Sequence, residues 1–372
     1  MFREPKYIRL YRIILRNFGF KLRPVGTLGL IQLRHLVSAS ARGLDHVVAP
    51  GFRSLPIDRP VFILGNPRSG TTFLHRFLLN TGDLCAFELW EMLLPAITGR
   101  RALGRVIDRF APLSPARYHS SDAHETSLRD VETDDAAAFF HFVDGGFLWA
   151  YFLAWEDDWG SDSARQVFEL DDLSPRRQER LFGYLEGCWR RNLYAKGKRR
   201  IIVKSSMLGA GARTLVSRYP DAKIIFLVRD PVSTIPSGMS LLTSVLDRSY
   251  NIFETTDPAR RARYLNNLYQ ASCHMYRTLV RVKREGIIPP GNLRIVTYPQ
   301  LMRDLEPTIA DLVDFADLTP DPGFWDEVRL QAEKQRAYQS KHRYSLEKYG
   351  LTEAQIRSDL AEIYQEFDLD LA

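Results

Sequence analysis

The sequence predicts an α/β fold: a parallel sheet flanked by helices on both faces, with a helical insertion and a helical C-terminal region. Three observations carry that expectation. Four short apolar runs, Val61–Leu64, Ile201–Val203, Lys223–Val228 and Leu293–Thr297, have the length and composition of buried parallel strands. Helix-length segments alternate with them, as parallel pairing requires. A glycine-bearing loop, residues 65–72, stands directly between the first run and a helical stretch.

In chain order, the first element is a helix expected over Tyr7–Phe20. It places Ile8, Tyr11, Leu15 and Phe18 at helical spacing and Arg9, Arg12 and Arg16 elsewhere around the turn. Such a basic amphipathic helix docks on its own domain or a partner subunit, or makes peripheral contact with an anionic membrane surface through residues 7–20. Residues 1–59 form a basic N-terminal helical segment, and residues 60–372 form the main domain. After the strand Val61–Leu64 and its loop, a helix is expected over Thr71–Asn80. Residues from about 85 to 195 are less regular and form an insertion on the acceptor side of the site. There Asp122, Glu125, Asp130, Glu132, Asp134 and Asp135 precede the aromatics Phe139, Phe140, Phe142, Phe147, Trp149, Tyr151, Phe152, Trp155 and Trp159. A helical layer with a solvated acidic face is the simpler account of that stretch. Alternation resumes with a helix over Ala210–Arg218, a helix after Pro231 through Leu246, and a long one over Ala259–Glu285.

Composition narrows the class. With 45% hydrophobic and 26% charged residues, the chain is an ordinary globular protein with a sizeable core. The net charge is +6, and the excess lies at the start, where residues 1–60 hold eleven Lys/Arg against three acids. That balance suits an anionic partner. It does not point to nucleic acid, because no basic stripe interleaved with aromatics and no known binding module appears. The three cysteines, Cys85, Cys188 and Cys273, have neither metal-ligand nor disulfide spacing and read as small core residues of a reduced compartment. No run approaches the length of a membrane span, and arginines interrupt the first apolar stretch, so a cytoplasmic location is expected.

The loop carries the chemistry. Gly65-Asn-Pro-Arg-Ser-Gly70-Thr71-Thr72 nearly fits the phosphate-binding pattern G-x-x-x-x-G-K-[ST], in which glycines let successive N–H groups converge on an anion at a helix N-terminus. Thr71 stands where that pattern has lysine, which removes a principal charge stabiliser of triphosphate chemistry. Arg68, inside the loop, supplies a cation from another direction. A nucleotide or small-molecule kinase on this scaffold stays open at this point, as does a non-catalytic nucleotide-binding protein.

Asn66-Pro-Arg68-Ser69-Gly70-Thr71-Thr72 resembles the 5′-phosphosulfate loop of the sulfotransferase superfamily. Downstream, Arg229-Asp-Pro-Val-Ser-Thr-Ile-Pro-Ser237 resembles its 3′-phosphate motif, an arginine ending a strand with a serine eight residues later. Lys204-Ser205-Ser206 resembles the family's strand-end lysine motif. Lys341-His342-Arg343-Tyr344-Ser345-Leu346 with Tyr349-Gly350-Leu351 resembles a C-terminal signature of the bacterial-type branch. The resemblance covers roughly residues 60–365. It implies a P-loop-like fold and sulfuryl transfer from 3′-phosphoadenosine 5′-phosphosulfate (PAPS) to a hydroxyl or amine of a small-molecule, lipid or glycan acceptor, with no metal. By that resemblance Arg68, Ser69, Gly70, Thr71 and Thr72 hold the 5′ end, Arg229 and Ser237 the 3′-phosphate, and Lys341 and Arg343 the nucleotide from the C-terminal side.

Sulfuryl transfer, like phosphoryl transfer, needs positioning and charge stabilisation more than covalent chemistry, and Arg68 and Lys204 are the natural cations for it. Family members that use a histidine base place it two residues after the strand-end lysine, where this chain has Ser206. Those that use a carboxylate place it beyond the helix that follows the loop. Glu88 is therefore the expected base, with Glu91, His124 and Glu125 as rivals. The sequence leaves the acceptor and the oligomeric state open.

Overall fold

The structure, a computed structural model, describes residues 6–19, 22–109, 127–135, 141, 145–336 and 345–369. Its centre is a five-stranded sheet of β1 (Val61–Gly65), β2 (Leu84–Cys85), β3 (Arg200–Ser205), β4 (Lys223–Val228) and β5 (Leu293–Thr297). The strands run in the order β2-β3-β1-β4-β5, and every pairing is parallel. Successive strand residues point to opposite faces, yet Val61, Phe62, Ile63 and Leu64 are all fully buried, so both faces of β1 are covered. The α/β expectation with a helix-flanked parallel sheet is therefore met. The four apolar runs are four of the five strands. β2 escaped the sequence reading because two residues show no periodicity.

The chain divides into two compact units drawn from interleaved segments. One consists of residues 56–86, 196–238 and 272–372 and contains the whole sheet. Beside the sheet it holds the helices Thr71–Leu79, Ala212–Arg218, Tyr298–Arg303, Leu305–Phe315 and Pro322–Arg336, and two short C-terminal helices, Glu353–Asp359 and Ala361–Phe367. The C-terminal pair is tied down by charge. Glu366 takes ion pairs from Lys283 at 2.9 Å and Arg284 at 2.8 Å, and Arg277 donates to the Asp359 carbonyl at 2.9 Å.

The other unit consists of residues 1–55, 87–195 and 239–271, and the elements described in it are helical. Its first helix, Lys6–Phe18, buries Leu10, Ile13, Ile14 and Phe18. That corrects the expected face. Of the set Ile8, Tyr11, Leu15 and Phe18, only Phe18 is buried, while Ile8 and Leu15 are exposed. Phe18 is held in an aromatic nest, stacked on Tyr250 at 4.5 Å and edge-on to Trp155 at 5.1 Å. Arg9 pairs with Asp157, Arg16 pairs with Glu156 at 3.5 Å, and Arg260 donates to the Arg16 carbonyl at 3.0 Å. This helix is docked on its own unit.

The next helix, Leu22–Val48, turns a charged side inward. Asp45 is fully buried. It accepts from Arg191 Nε at 2.7 Å, from the N–H groups of Ile97 and Thr98 at 3.0 and 2.9 Å, and from the Thr98 hydroxyl at 2.9 Å. Burial pushes this carboxyl up, but the Thr98 and Ile97 donors and the Arg191 guanidinium outweigh it and hold Asp45 below the usual carboxylate value. Arg191 lies on a 22-residue helix, Pro175–Lys196, which reading the region as irregular did not anticipate.

The aromatic-rich stretch gives two tryptophans to the core, while Tyr151, Phe152 and Trp159 are half-buried. Trp149 and Trp155 are fully buried, Trp155 stacks on Tyr264 at 4.3 Å, and Trp149 meets Phe168 edge-on at 5.0 Å. The expected solvated acidic face is corrected for three of its four described acids, Asp130 being half-buried. Glu132, Asp134 and Asp135 are buried, and Trp189 Nε1 donates to Asp134 at 3.2 Å. Phe139, Phe140, Phe142, Asp122 and Glu125 lie outside the described residues.

Candidate active site

The loop after β1 is shaped by close approach. Gly65 has φ +148°, and a Cβ there would stand 2.6 Å from the Leu227 carbonyl oxygen of β4, so only glycine lets the chain leave the strand along this path. Arg68 has φ +74°, a left-handed conformation that costs a non-glycine residue of order 1–3 kcal/mol and is held where surrounding contacts over-determine it. Gly70, at φ +100°, caps the helix Thr71–Leu79. Two side chains brace the turn from within: the Ser69 hydroxyl donates to the Asn66 carbonyl at 2.8 Å, and the Asn66 amide donates to the Ser272 carbonyl at 3.0 Å. Ser69 is wholly buried, so its side chain supports the loop.

Parallel pairing then gathers the remaining residues. Leu64 is in register with Ser205, Gly65 with Leu227, and Val228 with Thr297, so β1, β3, β4 and β5 end side by side. β1 lies between β3 and β4, the switch point at which open α/β sheets bind ligands beyond their carboxyl ends. From these ends come the loop, Lys204, Arg229 and Tyr298.

The expected residues meet there. Lys204, only 6% exposed, donates to the Thr72 hydroxyl at 2.7 Å. Arg68 Nε donates to the Ser237 hydroxyl at 3.1 Å, and Ser237 is itself buried on the helix Pro231–Tyr250. Arg229 donates to the Arg68 carbonyl at 3.2 Å and lies over the Tyr298 ring at 4.0 Å. Thr71 is buried in the first turn of its helix. Three cations, three hydroxyls and a helix N-terminus thus line one sheet edge. That donor set fits a ligand carrying phosphate or sulfate groups.

Three tyrosines of this site were missed from sequence. Tyr298 packs between Gly70, whose Cβ position is 3.3 Å from its ring, and Arg229. The Tyr276 hydroxyl donates to the Arg229 carbonyl at 2.8 Å, and the Tyr364 hydroxyl donates to Asp230 Oδ1 at 2.7 Å. Burial raises the Tyr364 phenol above its ordinary value, and acceptance by Asp230 adds to the rise, so it stays a donor. Only their places after β5 and on distant helices could have signalled these roles, and a lone tyrosine carries no motif.

Glu88 belongs to the other unit. It precedes the short helix Leu89–Leu93, accepts from Trp90 Nε1 at 2.7 Å, and lies 3.9 Å from Arg129. Glu91 is buried, accepts the Glu88 N–H at 2.8 Å and faces Arg100 at 3.5 Å, which marks it as a support for Glu88. His124, Glu125, Lys341, His342 and Arg343 lie outside the described residues. Among the described residues, no group of three or more His, Cys, Asp or Glu is arranged to hold a metal ion.

The family model described as "Sulfotransferase family" matches residues 60–322, which include the loop and every strand-end residue named above. The chain belongs to the sulfotransferase family. The chain is 22% identical over 258 residues to omega-hydroxy-beta-dihydromenaquinone-9 sulfotransferase Stf3 of Mycobacterium bovis and of Mycobacterium tuberculosis. The match covers 67% of this chain and 60% of that relative's length. Among solved structures it is similar to sulfotransferase STF1 from M. tuberculosis, with TM-score 0.66 at 17% identity over 96% of this chain and 91% of that one. It is also similar to STF9 from Mycobacterium avium, with TM-score 0.64 at 16% identity over 88% and 81%. At such identities these structures establish a shared fold.

Proposed function

We propose that the protein transfers a sulfuryl group from PAPS to the hydroxyl, or amine, of a small-molecule acceptor. One observation carries this reading: Arg68, Lys204, Thr72, Arg229 and Ser237 converge through direct hydrogen bonds at the carboxyl edge of the sheet. Arg229 and Ser237 take the 3′-phosphate, and the loop with Thr71 and Thr72 takes the 5′ end. The acceptor oxygen attacks sulfur in line and forms the new S–O bond. The S–O bond to the 5′-phosphate breaks, and its electron pair stays with the phosphate oxygen. Arg68 and Lys204 balance the charge that spreads over the transferring group and collects on the leaving phosphate. Glu88 takes the acceptor proton, with Trp90 and Glu91 fixing its orientation. Lys341 and Arg343 extend the nucleotide grip by family resemblance.

The acceptor we favour is an apolar molecule bearing a hydroxyl, of the lipid class. The mycobacterial relative, named for sulfating omega-hydroxy-beta-dihydromenaquinone-9, supports that class. Phenols and glycans are the competing acceptors. The three cysteines are buried thiols, which suits a reducing cytoplasm.

Thermal-shift titration separates the readings. The product nucleotide 3′-phosphoadenosine 5′-phosphate (PAP) should raise the melting temperature, and Mg²⁺-ATP should not. The reverse pattern would establish a kinase, and PAP binding without sulfuryl transfer to any of a broad acceptor panel would establish a non-catalytic nucleotide binder. Glu88→Gln keeps an acceptor for the Trp90 indole, so it should leave PAP binding unchanged while lowering turnover about 10²–10⁴-fold. Intact turnover would remove Glu88 from the mechanism.

A further inference from the structure

The helix Leu22–Val48 is amphipathic in the reverse sense. Leu33, Leu36, Val37, Leu44, Val47 and Val48 are each between 51% and 78% exposed. At about 100° per residue they fall within an arc of about 120°, a single stripe along the outer face. The opposite side carries the polar groups. Asp45 is buried against Arg191, Ser38 is buried and accepts from Arg42 at 2.7 Å, and His35 meets the Tyr7 hydroxyl at 3.4 Å. A helix that buries its one acid, keeps Arg34 and Arg42 half-buried and exposes its aliphatic residues leaves a face suited to an apolar partner.

Charge identifies that partner. From residue 6 to residue 48 the sequence contains one acid, Asp45, and it is fully buried. On the helix Lys6–Phe18, Arg12 and Arg16 are exposed together with Ile8 and Leu15, Arg16 while it also faces Glu156 at 3.5 Å. Aliphatic residues with arginines and no exposed acid are the composition of a surface that lies in the interface of an anionic bilayer. A second copy of the chain would instead bring two basic surfaces together, which opposes association. Among the described residues no helix is long and apolar enough to cross a membrane, so the contact is one of lying on the surface.

We propose that the outward stripe of the helix Leu22–Val48, aided by Arg12 and Arg16, docks the protein on anionic lipid membranes. This relocates the membrane contact expected of residues 7–20, whose helix commits its other face to the core. The inference does not depend on sulfuryl transfer, since it is read with no nucleotide and no acceptor present. The full chain should co-sediment with vesicles of mixed phosphatidylglycerol and phosphatidylcholine, bind phosphatidylcholine vesicles far less, and release in high salt. The double variant Leu36→Glu with Val47→Glu should bind the anionic vesicles about tenfold more weakly, or less. Both positions are exposed, so unchanged thermal melting in solution verifies the fold, and Leu36→Ser with Val47→Ser serves if the glutamates disturb it. Vesicle binding that is absent in the parent, or equal in the variants, overturns the proposal. So does analytical ultracentrifugation that finds a dimer which the same substitutions split into monomers, for the stripe would then be a subunit interface.

Discussion

Arg229 is held on three sides: its guanidinium donates to the Arg68 carbonyl and lies over the Tyr298 ring, and its own carbonyl accepts from Tyr276. A lysine could supply the charge but not the fork of donors. Arg229→Lys should therefore weaken PAP binding about tenfold to a hundredfold by calorimetry, with melting of the nucleotide-free protein little changed. His141 offers a residue-scale prediction away from the site. It stacks on Tyr184 at 3.8 Å, and burial, followed by the fields of Arg42, His35, Arg34 and Arg180, pushes it down from 6.5 to about 3. Between those values the unfolded chain takes up a proton that the folded one refuses, so stability falls as the pH drops through that window and is fully present above it. His141→Phe keeps the stack and removes the titration. Urea unfolding at pH 7 and pH 4 should show a smaller acid loss for the variant than for the parent. Arg68, Lys204, Arg229 and Ser237 were legible in the sequence because the stretches that carry them resemble motifs of the sulfotransferase superfamily. Tyr298 was not, because only the pairing of β4 with β5 brings it beside Arg229.

At the scale of elements, the helix Leu22–Val48 depends on one buried charge pair. Asp45 and Arg191 are both shut away from water, and the carboxylate also receives the first N–H groups of the helix Ile97–Leu103. Removing one partner of such a pair leaves an uncompensated charge in the interior. Asp45→Asn should destabilise the protein by about 3–5 kcal/mol in urea unfolding, and an equal loss from Arg191→Met with no further loss in the double variant would show that the two act together. The strands and the long helices were readable because their periodicity is sustained. The face of the helix Lys6–Phe18 was misread because its apolar residues spread over an arc of about 220°, so Leu10, Ile13 and Ile14 competed with Ile8, Tyr11 and Leu15. Packing against Phe152, Trp155 and Tyr250 through Phe18 decided between them, and none of those partners is local in sequence.

For the whole molecule, alternation of strand and helix was enough to foresee a parallel sheet, whereas strand order and the interleaving of the two units were not. Both are set by contacts between segments far apart in the chain, which no local pattern encodes. The strand order has a consequence for how the protein is made. β1 is the middle strand, yet its neighbours β3 and β4 begin only at residues 200 and 223. While the ribosome is still working through the intervening stretch, the nascent chain carries an apolar strand with both edges unmet and a phosphate loop with nothing behind it. Closing so long a loop is slow, and an exposed strand edge invites pairing with a neighbouring polypeptide. A chain cut short before residue 200 should therefore be aggregation-prone, a liability created by the same strand placement that builds the site.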